Sequence, residues 1–303
     1  MKNIENDIKI LLNLFNGAKF DLAISKSKRL IREFPEYVIL YNILGSSYQN
    51  TGKLNLAKNI FTKGYQIDPN NIAIMNNLAN TYKNIGEFDL SANLFEKIIS
   101  KKPDYINSYV NFGNLKRDNN DFESAIELYN KALKINDKIP VVFYCLALAY
   151  QGLGKFDQAI KYSEKTLLLD PKFTQADMLI SQSMKYQNDN KHYKEMNSKI
   201  NNLELNNIQK VNLLFALSKA EEDMNQIEKS FEYLNLGNNI KRKLLNFDIN
   251  EEILFFNEIK KIFNDINFNN SLKSNFTEKQ IIFILGMPRS GTSLVEQIIT
   301  SHS

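Results

Sequence analysis

A period of 34 residues limits what this chain can fold into more than any other feature. Pro35, Pro69, Pro103 and Pro171 share one phase of it, and Asp137 fills the vacant slot. Phe20, Leu54, Phe88, Phe122 and Phe156 keep the same step, as do the small residues Ala23, Ala57, Ser91, Ala125 and Ala159. A second small column, Gly45, Ala79, Gly113 and Ala147, directly follows Leu44, Leu78, Phe112 and Leu146. Self-similarity at this spacing means stacked copies of one supersecondary unit, none of which can bury its apolar face alone.

The columns define that unit. Tyr41, Leu44, Gly45 and Tyr48 stand at i, i+3, i+4 and i+7, one face of a helix, and Gly45 and its equivalents admit a close neighbour. Gly52, Gly86 and Gly154, with Asn120 in the fourth slot, mark a turn. Asp21, Asn55, Asp89, Glu123 and Asp157 then place a polar or acidic group where a second helix begins and its dipole favours one. Phe61, Phe95 and Tyr129 pack that helix, and the proline column is expected to end it.

This helix–turn–helix pattern closely resembles the tetratricopeptide repeat. Units are read at 4–37, 38–71, 72–105, 106–139 and 140–173, followed by a degenerate sixth at 174–207. A seventh, at 211–244, is carried by Leu214, Leu217, Ser218, Ile227, Ser230, Leu234 and Gly237. The expected fold class is therefore all-α, an α-solenoid over residues 1–244. Residues 245–279 are read as a closing amphipathic helix, with Ile249, Ile253, Phe256, Ile259 and Phe263 near one side, and a linker from Asn264 to Glu278.

The resemblance implies a protein or peptide partner on the concave face. Asn77 and Asn80, one turn apart, are repeated by Asn111 and Asn114, and four such carboxamides suit the backbone of an extended peptide. Lys116 and Arg117 interrupt the column kept by Tyr48, Tyr82 and Tyr150; a charge pair of this kind reads first as a solvated face. Cys145, between Tyr144 and Leu146, reads as a small core filler. His192 has no sequence neighbour that would make it a ligand or a base, and no metal site is expected.

Composition narrows the setting. A net charge of +4 over 303 residues, without a basic run, argues against a nucleic-acid partner. A single cysteine cannot form an internal disulfide. The first twenty residues mix charge with apolar side chains and lack a small-residue cleavage site, and no apolar stretch is long enough to span a bilayer. A cytoplasmic location without a membrane span is expected.

The texture changes at the C-terminal end. Ile281–Leu285 is an uninterrupted apolar run suited to a buried parallel strand, Gly286–Ser293 reads GMPRSGTS, and Leu294–Ile299 reads as a helix. Strand, glycine-bearing loop and helix form a phosphate-cradling unit. The P-loop lysine is absent and Arg289 supplies the cation from within the loop, which argues against an ordinary ATPase or GTPase. FILGMPRSGTSLVEQIITSHS resembles the 5′-phosphosulfate-binding loop of sulfotransferases that use 3′-phosphoadenosine 5′-phosphosulfate (PAPS), in particular tetratricopeptide-repeat sulfotransferases and protein-tyrosine sulfotransferases. The resemblance implies that residues 280–303 begin a P-loop sulfotransferase domain, cut off at Ser303. Arg289, Ser290, Gly291, Thr292 and Ser293 would bind the cofactor, and Arg289 would also stabilise charge on the leaving oxygen as sulfuryl passes to an acceptor hydroxyl. His302 is read as structural. The acceptor is not identified and the catalytic base is expected to lie outside this chain, which is therefore expected to be inactive alone. The other reading is a non-catalytic repeat adaptor with a vestigial loop.

Overall fold

The structure is a computed structural model that describes residues 4–245 and 248–265. Among these residues every regular element is an α-helix. Five antiparallel pairs follow one another: α1 (Ile4–Asn16) with α2 (Phe20–Glu33), α3 (Val38–Asn50) with α4 (Leu54–Ile67), α5 (Ile72–Asn84) with α6 (Phe88–Lys101), α7 (Ile106–Asp118) with α8 (Phe122–Ile135), and α9 (Pro140–Gly152) with α10 (Phe156–Leu169). The second helix of each pair starts on the apolar residue of the repeat column. α11 (Thr174–Ser183) and α12 (Lys191–Asn202) follow, and α13 (Asn207–Asp223) pairs with α14 (Ile227–Leu244). The chain divides into a unit of Met1–Leu245 and a unit of Asn246–Ser303; α15 (Ile249–Asp265) belongs to the latter.

The turns inside the pairs explain the glycine column. Gly52, Gly86 and Gly154 have φ of +73°, +84° and +69°, and Asn120 takes +60° in the same slot. A residue in the left-handed region lets the next amide turn back onto the helix just ended. Lys53 N–H donates to Tyr48 C=O at 2.9 Å, and Glu87, Asp121 and Lys155 do the same to Tyr82, Lys116 and Tyr150. Each first helix thus closes on the same C-cap, which satisfies carbonyls that would otherwise be orphaned.

Proline is not required to end a second helix. α8 stops at Ile135 although its slot holds Asp137. After α4, α8 and α10 the next residue turns the chain: Asn136 Oδ1 accepts from Lys138 N–H at 2.9 Å, as Asp68 does from Asn70 and Asp170 from Lys172, both at 3.0 Å. Such a side chain offers the backbone a turn in place of another helical bond.

Packing follows the small and aromatic columns. A Cβ on Gly45 would lie 2.5 Å from the Phe61 ring, and one on Gly113 would lie 2.4 Å from the Tyr129 ring. Both rings are fully buried, seated on bare backbone. Phe95, Tyr109, Phe112, Tyr129, Val142 and Leu146 continue the core from α6 through α9. A separate cluster, including Tyr186, Met196, Leu213 and Leu217, forms around α12 and α13.

The sixth unit departs from the pattern. α11 has 10 residues where α3, α5, α7 and α9 have 13. The turns 51–53, 85–87, 119–121 and 153–155 are replaced by the longer 184–190. α11 packs chiefly on α10 and α13, and α12 makes little contact along it.

Candidate functional site

First helices touch their counterparts in the next unit, whereas second helices make little or no contact with theirs. The stack therefore curves with α3, α5, α7, α9 and α11 on the inside, the row that faces a ligand in a superhelix of this kind.

Polar side chains stitch this inner row together. Asn77 Nδ2 donates to Asn42 Oδ1 at 2.7 Å, and one unit later Asn111 Nδ2 donates to Asn76 Oδ1 at 2.9 Å. Gln49 Nε2 donates to Thr81 Oγ1 at 2.8 Å, and Gln151 Nε2 contacts Ser183 Oγ at 3.4 Å. Lys83 Nζ pairs with Asp118 Oδ2 at 3.0 Å, and Arg117 reaches the other oxygen of that carboxylate at 3.0 Å. Burial works to raise the Asp118 pKa, but the hydrogen bonds from Lys83 and Arg117 outweigh it and hold the carboxyl below its usual range. These bonds fix the spacing between successive units and leave only part of the polar edge available to a ligand.

The four asparagines of the expected ladder are not four equivalent free amides. Asn77 and Asn111 spend a donor on the preceding helix. Asn114 Oδ1 accepts from Tyr129 Oη at 2.8 Å and lies 3.6 Å from Cys145 Sγ, so half of its amide belongs to the core. Asn80 is half-buried and no protein group among the described residues takes its amide. What is left without a protein partner is therefore the amide of Asn80, together with the Asn111 carbonyl and the Asn114 amine.

Asn42, Asn76, Gln49 and Thr81 belong to this face and sequence reasoning missed them. The bonds link Asn42 to Asn77 and Asn76 to Asn111, a step of one unit plus one residue, so a search along columns of the repeat does not pair them.

Lys116 and Arg117, read as a solvated face, are half-buried in ion pairs at the end of α7. Lys116 pairs with Asp121 at 3.4 Å and lies over the Phe112 ring. Cys145 is buried, and burial pushes its thiol up to about 11, so it is a core filler and no nucleophile.

Although the sequence neighbours of His192 offered no partner, the fold brings it two. Nε2 lies 3.0 Å from Asp177 Oδ1, and Nδ1 lies 2.6 Å from Tyr186 Oη. The carboxylate accepts from Nε2, and Nδ1 shares a hydrogen bond with the tyrosine hydroxyl. Tyr186 is buried and its phenol is pushed far above the usual tyrosine range by that burial. The set therefore holds structure and carries no activated nucleophile.

Arg289, Ser290, Gly291, Thr292, Ser293, the expected strand Ile281–Leu285 and His302 lie outside the described residues. Among the described residues no group of His, Cys, Asp and Glu is arranged to hold a metal, and no helix is long and apolar enough to cross a membrane.

Comparison with known proteins agrees with this geometry. Family models described as tetratricopeptide repeat match residues 38–71, 72–101 and 142–173, and one described as TPR repeat matches 113–154. The chain carries tetratricopeptide repeats. No curated protein gives a significant match. Solved structures share the fold. A tetratricopeptide repeat protein from Parabacteroides merdae is 17% identical, with 82% of this chain and 96% of that one covered and a TM-score of 0.59. PilW, a type IV pilus biogenesis factor, is 17% identical over 67% of this chain and 94% of its own, with a TM-score of 0.58. A TPR protein of Thermus thermophilus is 17% identical over 59% and 97%, with a TM-score of 0.52.

Proposed function

We propose that this protein is an interaction scaffold that holds an extended segment of a partner protein along the inner row α3–α11. The observation that carries this reading is the stitched polar edge. Its spacing is fixed by bonds between units, and the amide of Asn80 and half-amides of Asn111 and Asn114 are left unspent. Amides at fixed intervals suit a peptide backbone, whose donors and acceptors also recur at fixed intervals. A cytoplasmic setting suits the lone thiol of Cys145.

A photo-reactive residue at Asn80, compared with one at Lys131 on a second helix, tests the reading in source cells. A partner captured only from position 80 should yield a peptide that binds the purified chain, and Asn80→Ala with Asn111→Ala should weaken it on the order of tenfold. Equal capture from both positions, or a peptide indifferent to both substitutions, would remove the inner row from consideration.

The sequence Gly286–Ser293 supports a second reading, a PAPS-dependent sulfotransferase whose repeats present the acceptor. Arg289, Ser290, Gly291, Thr292 and Ser293 would hold the 5′-phosphate side of the cofactor, which supplies the sulfuryl group. Calorimetry with PAPS on the full chain, against Arg289→Ala and against ATP, tests it. Binding that is lost with Arg289 supports the reading, and equal or absent binding of both nucleotides ends it.

A further inference from the structure

We infer that the sixth unit forms a second docking groove, separate from the inner row, which takes an acidic amphipathic helix of a partner protein. The groove arises because α12 does not pack along α11. It runs between α10 and α12, with Ile180 and Met184 from α11 and its outgoing loop as the floor, and is an open groove of about 830 Å³.

The opening is built into the fold. Asp177 of α11, fully buried, accepts at one oxygen from His192 Nε2 at 3.0 Å and from Lys199 Nζ at 2.6 Å, both on α12. Tyr186, buried in the connecting loop, holds the other nitrogen of His192. Two α12 side chains thus converge on one α11 carboxylate, and the helix is held across a gap that apolar packing does not fill.

The walls indicate what fills it. Leu168, on α10, is 83% exposed beside Ile160 and the apolar floor, so the groove offers greasy contact without covering itself. Lys161 and Lys165 from α10 and Lys191 from α12 stand on its rim against Glu164 and Glu195. Lys199 is spent on Asp177 and Lys191 lies 3.5 Å from Glu195, so the free positive charge is that of α10. Apolar base and net positive walls complement a helix with leucine-like residues on one face and carboxylates flanking it. α12 has 12 residues, roughly 18 Å of helix, which sets the ligand at three to four turns.

Fluorescence anisotropy on the full chain tests this with a labelled peptide of about sixteen residues. It carries leucines at helical spacing and glutamates on the flanks, and its control replaces the glutamates with lysines. The acidic peptide should bind and the basic control should not. Leu168→Asp, and separately Lys161→Glu with Lys191→Glu, should each weaken binding on the order of tenfold. All three positions are exposed, so unchanged far-UV dichroism should accompany the loss. Asn80→Ala should leave this binding intact, which separates it from the inner-row reading. Equal binding of the two peptides, indifference to both sets of variants, or binding of anionic vesicles in place of the peptide would overturn the proposal.

Discussion

Ala18 has φ +55° in the turn of the first unit, the slot that Gly52, Gly86 and Gly154 fill later. A Cβ in the left-handed region clashes with its own carbonyl at a cost of roughly 1–2 kcal/mol, and glycine returns part of that gain as unfolded-state entropy. Ala18 is exposed, so nothing else opposes the exchange. Ala18→Gly should stabilise the protein by about 0.5–1 kcal/mol, read as a higher urea midpoint at constant slope. A lower midpoint would mean the turn relies on the methyl group. Cys145 allows a chemical check at the same scale. With its thiol raised to about 11 by burial, about a thousandth is thiolate at pH 8, so a thiol reagent should label the folded protein slowly and the urea-unfolded protein at once. Fast labelling of the native chain would mean that α9 opens readily. The residues that a sequence does not give up easily are of a particular kind. Glycine and aromatic columns are legible because each repeats in its own slot. The Asn42–Asn77 and Asn76–Asn111 bonds join different slots, and Asp177 meets His192 only because the chain folds back across the loop 184–190.

At the scale of elements, the regular pairs were legible as units, since turn, small and aromatic columns recur together at one spacing. The sixth unit was legible only as lost signature. Its replacement was not, because nothing in Asp177, His192 or Lys199 taken singly marks a partner. On its α11 side, α12 is held by one carboxylate. Lys199 and His192 side chains are only 12% and 11% exposed, so removing Asp177 leaves a cation with little water and a ring without its acceptor. Loss of one member of such a buried set costs about 3 kcal/mol or more. Asp177→Ala should therefore lower stability by about that amount in a denaturant titration, and Asp177→Asn, which still accepts one hydrogen bond, by clearly less. A loss under about 1 kcal/mol for Asp177→Ala would show that Met196 and the neighbouring apolar contacts hold α12 without it.

Across the whole molecule, stability in a repeat stack is a sum of unit terms and nearest-neighbour contacts, so a weak unit lowers protection locally without unfolding the rest. The core from α6 to α9 is continuous, whereas the cluster around Tyr186, Met196 and Leu217 is separate from it. Between them stands a smaller cluster of Ala147, Ala159 and Leu179. Tyr150 and Tyr162 pack against both that cluster and the core from α6 to α9, and α12 lies beyond it in the separate cluster. Native-state hydrogen exchange should then rank the helices. Amides of α7 and α8 should open only with the free energy of the whole stack, while those of α12 should open at least about 2 kcal/mol more easily. Asp177→Ala should speed exchange further in α12 and leave α7 unchanged. Equal protection of α12 and α7 would mean that the sixth unit is stacked as firmly as its neighbours, and that Asp177 and the apolar contacts around Met196 make up in full for the pairing that α11 has given to α13.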